Sequence, residues 1–274
     1  MIFMIIGDYI EKAVNWITAN FSGTLDSISY GIGNFIGVIE AFWLWLPFYV
    51  VIMLLAGIAY WKAGKRNTIL TLVGLVFIYY MGFWEETMIT LSLVLSSALI
   101  ALLIGIPLGI WSAKKPSVNS VLRPILDFMQ TMPAFVYLIP AVLFFGLGTV
   151  PGAFATIIFS MPPVVRLTQL GIQQVPADSV EATRAFGATP MQLLFKVELP
   201  LAMPTILAGV NQTIMMSLSM VVIASMIGAK GLGIIVLQGI SQLRIGLGFE
   251  SGLAVVLLAI ILDRITQNLG KRGS

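Results

Sequence analysis

Glu85 and Glu86 are the only adjacent carboxylates in the chain, and adjacency is a poor geometry for acid–base work. On a helix two such side chains point about 100° apart, so the pair reads as an interfacial doublet and not a catalytic dyad. The sequence has no histidine and no cysteine. That removes imidazole proton transfer, thiol nucleophiles, disulfides and the usual zinc ligands. No glycine-rich loop is followed by Lys-Ser or Lys-Thr. Gly231 and Gly233 in GAKGLGII lack the preceding strand and third glycine of a dinucleotide turn, so that stretch is expected to be a flexible external loop. No catalytic residue, metal site or cofactor of its own is therefore expected in this chain, and no nucleic-acid partner.

What remains is one polar island, residues 178–200, DSVEATRAFGATPMQLLFKVELP. Asp178 with Glu181 three residues on predicts a capping box at a helix start. Gly187 stands where that helix would stop, since glycine takes the left-handed cap cheaply. Thr189, Pro190 and Gln192 predict a second start, with an N-cap, a proline at the first helical position and a closing Gln. The expectation is two short helices meeting at a close-packed glycine bend, a shape suited to docking a partner. The plain alternative is a solvated loop in which Glu181 only caps.

The elements that hold this island are membrane spans. The chain is 58% hydrophobic and 10% charged, with mean hydropathy +0.99, whereas a soluble domain carries about 25% charged residues. Charge-free intervals of about 20 residues fall at 41–61, 67–84 and 87–113. The interval 128–165 is too long for one span and is cut at Gly146–Gly152 into a fourth and a fifth. A sixth falls at 199–229 and a seventh at 251–262, extended at both ends. Residues 1–40 place Ile6, Tyr9, Ile10, Ala13, Val14, Trp16 and Ile17 largely on one helical face, which predicts an amphipathic helix lying on the membrane.

Seven alternating spans collect Lys62, Lys65, Arg66, Lys114, Lys115, Arg123, Arg166, Arg184, Lys196, Arg264, Lys271 and Arg272 on one side. Lys12, Lys230 and Arg244 are left on the other. The basic side is the cytoplasmic one, which puts the N-terminal helix outside and the island and C-terminus inside. No span carries a charge at its centre, and ion-driven carriers commonly place carboxylates there. The fold class expected is an all-α polytopic helical bundle. Its segments are an interfacial one (1–40), two peripheral spans (41–84) and a core (85–270) carrying the loop 171–200.

Glu181-Ala182-Thr183, then Gly187, then Val197-x-Leu199-Pro200 closely resembles the cytoplasmic EAA loop of ABC importer permeases. Thr183 replaces an Ala and Val197 an Ile of that pattern. Over residues 84–268 the chain is similar to permeases for glycine betaine, proline betaine and related compatible solutes. The stretches that carry this are PILDFMQTMPAFVYLIP, MPPVVRLTQLGIQQVPADSVEATRAFGAT, SLSMVVIASMIGAKGLG and LDRITQN.

The resemblance implies a type I importer permease of the bacterial or archaeal plasma membrane, serving osmoprotection. It implies a second copy of the chain, a cytoplasmic ATPase dimer that binds the ATP and Mg, and an external solute-binding protein. Glu181, Ala182, Gly187, Leu199 and Pro200 would form the ATPase-coupling loop with Thr183. Arg184 and Phe186 are added from their position on the same helix. For the solute pathway the candidates are Met215, Met216, Ser217, Ser219 and Met220 in the sixth span. Phe135, Tyr137, Phe144 and Phe145 could attract a quaternary ammonium through their rings. Their ordinary reading is packing. An amino-acid permease of the same superfamily and a non-transporting scaffold are the alternatives.

Overall fold

In the computed structural model, which describes residues 2–268, the described residues are helical apart from short turns and form no strand. The basic tail at Lys271 and Arg272 lies outside them. The helices are α1 (Ile2–Asn20), α2 (Ser22–Trp45), α3 (Phe48–Tyr80), α4 (Trp84–Lys114), α5 (Pro116–Thr131), α6 (Leu138–Phe145) and α7 (Thr149–Gln173). They continue with α8 (Ala177–Ala185), α9 (Pro190–Leu193), α10 (Leu199–Ser225), α11 (Leu232–Ser241) and α12 (Ile245–Gln267). Five helical stretches are long and apolar enough to cross a membrane: Phe48–Tyr80, Trp84–Lys114, Thr149–Gln173, Pro190–Ser225 and Ile245–Gln267. A sixth is added if the bent pair Pro116–Thr131 and Ala134–Phe145 is one span.

One of these stretches is a hairpin. Gly64 in α3 has φ +78° and ψ 172°, a conformation that glycine adopts without a Cβ clash. Phe48 stacks on Tyr79 with ring centroids 4.1 Å apart, so the two ends of α3 meet. Residues 48–63 and 65–80 are therefore two limbs folded together, each about 24 Å long at 1.5 Å per residue. They occupy the place of the two peripheral spans expected at 41–61 and 67–84. The first begins later because Pro47 interrupts the chain and holds Leu46 extended, at φ −74° and ψ 131°. The segment before it is two helices, α1 and α2, and not one.

The expected fourth span is a bent pair of helical segments, not one uninterrupted helix. α5 is bent by 111° from the helical segment Ala134–Phe145. Pro133 lacks the N–H that would continue α5, and Met132 before it is extended at ψ 133°. Residues 134–145 alone reach about 18 Å, short of the roughly 30 Å hydrocarbon layer. The GAKGLG stretch is also tighter than expected. Leu232 N–H donates to Thr90 Oγ1 at 2.8 Å, and a Cβ on Gly231 would lie 2.5 Å from that oxygen. The stretch is a packed joint onto α4, not a loose loop.

The body of the bundle is α4, α7 and α10 in close contact through small residues. A Cβ on Gly105 would fall 2.4 Å from Val164 Cγ1, and one on Gly109 2.6 Å from Thr168 Cβ, so α4 and α7 run parallel. Gly152 lies against Ala224, and Gly171 against Ala202 and Thr205, so α10 runs antiparallel to α7. In membrane bundles such residues let backbones approach and gain dispersion contact. The ends of α4 and α7 and the start of α10 thus share one end of the bundle, the end that carries the polar island.

Candidate functional site

The island is delivered by α7 and returned by α10. Pro176 precedes α8 with φ −55° and ψ 130° and provides no side-chain cap. The capping box expected from Asp178 and Glu181 is absent, because α8 begins at Ala177, before Asp178 can act as N-cap. Asp178 instead sits in the first turn and Arg184 in the last, charges that suit the two ends of the helix dipole. Thr183 donates its hydroxyl to Ser179 O at 2.6 Å.

The helix ends as the glycine signal predicts. Gly187 has φ +78°. Its N–H donates to Arg184 O at 2.9 Å, and Ala188 N–H reaches Thr183 O at 3.3 Å. These are the paired bonds of a Schellman cap, in which a left-handed residue satisfies carbonyls that the helix leaves over. A Cβ on Gly187 would meet nothing within 4 Å. The expected close packing at Gly187 is therefore not found within this chain; only the backbone conformation demands glycine.

The second start is built as expected. Gln192 N–H donates to Thr189 Oγ1 at 3.3 Å, and Thr189 N–H to Gln192 Oε1 at 2.9 Å, closing the capping box. The helix it opens is not short. α9 passes through a π-turn at Leu194–Glu198 straight into α10, giving one helical stretch, Pro190–Ser225. Pro200 explains the wide turn. It has no N–H for the carbonyl four residues back and its ring would clash there, so an extra residue is accommodated just before it.

The π-turn is pinned by an ion pair. Lys114, at the end of α4, donates to Glu198, whose side chain is 7% exposed against 36% for the lysine. Arg166 on α7 pairs in the same way with Asp127 on α5, both well exposed. Lys114 and Arg184 also line a cavity of about 500 Å³ with Ala188, Pro190, Met191, Leu193 and Leu194.

The outward side of the loop offers Glu181, Ala182 and Arg184, all exposed, and no charged partner for Glu181 or Arg184 among the described residues. Phe186 beside the glycine is 93% exposed, and Met191 and Phe195, four residues apart on one face, are also exposed. Leu199 is half-buried and Pro200 exposed. Phe186, Met191 and Phe195 thus place three large exposed apolar groups at the loop end of the bundle.

The pathway candidates are brought together in part. Tyr137 and Met220 are buried in one cluster with Leu138, Ala141 and Ala155, and the Tyr137 hydroxyl donates to Met129 O. Phe144 and Phe145 are half-buried, the latter with its ring centroid 4.8 Å from that of Phe154. Phe135 and Ser219 are exposed, and Ser219 donates to Met215 O at 3.0 Å. Met215 and Met216 are half-buried; Ser217 is buried with no partner for its hydroxyl.

Sequence reasoning missed two features. The Lys114–Glu198 pair joins residues 84 positions apart, and only a lone acid at the entry to a span hinted at it. The second is a polar tie between α10 and α12. Asn211 Nδ2 donates to Asp263 Oδ1 at 3.1 Å, and Thr266 donates to Asn211 Oδ1.

Comparison with known proteins bears on this geometry. The family described as binding-protein-dependent transport system inner membrane component matches residues 105–273. The glycine betaine transport system permease protein OpuAB of Bacillus subtilis is 50% identical over 96% of this chain and 94% of its own length. The glycine betaine/proline betaine permease protein ProW of Escherichia coli is 49% identical over 97% of this chain and 75% of its own. The glycine betaine/carnitine permease protein GbuB of Listeria monocytogenes is 51% identical over 98% and 96%. Among solved structures, the MetNI methionine ABC transporter in inward-facing conformations matches with TM-score 0.61 at 21% identity, over 69% of this chain and 96% of that one. At that identity the likeness is one of fold.

Proposed function

The chain belongs to the family of inner-membrane components of binding-protein-dependent transport systems, and from that premise we propose how it works. It is the permease subunit of an ABC importer for glycine betaine and related quaternary ammonium solutes. The observation that carries the solute class is identity of about half, over nearly the whole chain, to permeases for glycine betaine. High-affinity choice of solute belongs to the external binding protein on which transport systems of this family depend.

The energy comes from a separate ATPase that binds ATP and Mg and docks on the loop. Its groove takes Phe186, Met191 and Phe195, while Glu181 and Arg184 meet charges of the partner. The chain works as a homodimer around a shared pathway. ATP-driven closure of the ATPases pushes the loop. The stretch from Pro190 to Ser225 is one continuous helical piece, so a displacement at α9 is carried through the π-turn at Leu194–Glu198 into α10. The Lys114–Glu198 pair makes α4 move with it. The loop end is the cytoplasmic end of an inner-membrane protein, because it gathers most of the Lys and Arg.

Uptake of labelled glycine betaine by vesicles holding the chain with its ATPase and binding protein tests this reading. ATP-dependent accumulation is expected; transport of an amino acid without betaine would contradict it. A cysteine at Ser179, in a chain that has none, should react with an impermeant thiol reagent only after the cells are opened.

A further inference from the structure

Two arginines that the coupling loop does not use face one cleft at the loop end of the bundle. Arg66 and Arg264, with Asn67, Leu70 and Ile260, line a cavity of about 490 Å³ between the second limb of α3 and the last turns of α12. These helices pack directly, with Gly74 against Ile261 and Leu257. They run antiparallel: Arg66 shares a cleft with Arg264, while Gly74, further along α3, meets Ile261 and the earlier Leu257 of α12. Arg66 and Leu70 are four residues apart, as are Ile260 and Arg264, so each pair shares one face of its helix. Antiparallel packing then puts both guanidinium groups at the mouth of the cleft. Both aliphatic side chains lie four residues, about 6 Å, deeper.

Neither arginine has a carboxylate partner among the described residues, and both are exposed. Asp263, next to Arg264 in the chain, is engaged elsewhere. It accepts from Asn211 at 3.1 Å and from Gln267 Nε2 at 2.7 and 2.8 Å. The cleft thus has two planar cations at the edge of the bundle and an apolar floor toward its middle.

We propose that this cleft binds an anionic phospholipid, its headgroup phosphate held between Arg66 and Arg264 and an acyl chain lying on Leu70 and Ile260. Guanidinium groups grip phosphate oxygens in pairs, and basic pockets between spans at the membrane surface recognise anionic headgroups. A free phosphate would satisfy the arginines but leave the aliphatic floor uncovered, so the lipid is the better match. Arg66 belongs to the peripheral hairpin and Arg264 to the last core helix. The bound lipid therefore clamps one onto the other. The inference rests on the membrane-spanning reading of these helices and is independent of which solute is carried.

The test uses the full-length chain, delipidated in neutral detergent and titrated with phosphatidylglycerol, the retained lipid being read by native mass spectrometry. Phosphatidylglycerol should be retained about tenfold better than phosphatidylcholine of the same chain length, because the choline cation beside the same phosphate is repelled by the two arginines and cancels the net charge they attract. R66Q/R264Q should fall to the phosphatidylcholine level. R66K/R264K, which keeps both charges, should retain most of the preference. K12Q/K230Q removes two charges at the far end and should change nothing. Should R66Q/R264Q elute differently from the parent on gel filtration, the single variants R66Q and R264Q decide, each expected to lower retention severalfold. Equal retention of the two lipids, or an equal loss in K12Q/K230Q, overturns the proposal. So does displacement of the lipid by inorganic phosphate at millimolar concentration, which would make the site one for a soluble anion.

Discussion

Gly105, Gly109 and Gly209 sit where helices touch, and Gly187 sits where this chain touches nothing. A Cβ on Gly109 would lie 2.7 Å from the backbone oxygen of Val165, and one on Gly209 3.2 Å from Val164 Cα. Around Gly187 there is open space, yet its φ of +78° excludes most side chains as firmly as a wall would. The body of the bundle uses glycine for proximity; the loop uses it for direction. Substitutions in the two regions should therefore fail differently, one by loss of the fold and the other by loss of work done.

The largest effect is expected from Gly109→Val. The clash is with backbone, so α4 and α7 must part, and overpacking of this kind costs about 1–3 kcal/mol or more. The amount of chain eluting as a single peak on fluorescence-detected gel filtration should fall steeply. Normal yield would mean that the α4–α7 contact is looser than described.

Lys114→Ala comes next. It leaves the buried Glu198 carboxylate unpaired, at a cost of about 1–3 kcal/mol, kept modest because the lysine itself is partly exposed and screened. The pair joins the body to the arm, so both readouts should move: the melting temperature drops by a few degrees and uptake falls with it. Lys114→Arg should restore both. A loss of uptake without any loss of stability would assign Lys114 to the partner surface instead.

Thr189→Ala is the mildest. It removes one arm of an exposed capping box, worth about 1 kcal/mol locally, in a segment that few contacts hold. Global melting should hardly change, while amide exchange at Gln192 should speed up.

How far each feature is legible in the sequence depends on how local its cause is. The Thr189–Gln192 box and the Gly187 cap lie within a few residues, and both form where those residues predict them. The Asp178–Glu181 box is equally local and does not form, because Pro176 starts the helix before Asp178 can cap it. The hairpin at Gly64 is marked by Lys62, Lys65 and Arg66 between two apolar runs, so its two limbs are expected though their limits are not. The bend at Met132–Pro133 escapes a reading in which an apolar run outweighs a proline. The Lys114–Glu198 pair and the α10–α12 tie depend on which helices meet, and no short-range pattern encodes that. The pathway candidates come together only in part for the same reason: the aromatics lie on residues 134–145 and the methionines on α10, and neither run signals which of its faces looks inward.

The loop as a transmission element, distinct from the packed body, is tested most directly by Gly187→Val in vesicles holding the complete importer. A left-handed backbone costs a branched residue about 1–2 kcal/mol or more, and no span bears that strain. The chain should reach the membrane at its normal level, while labelled glycine betaine uptake per chain falls about tenfold, the change that about 1.4 kcal/mol produces. Either the ATPase is lost on purification or ATP hydrolysis continues without transport. Normal uptake at normal level would contradict the account and reduce residues 177–200 to a connector between α7 and α10.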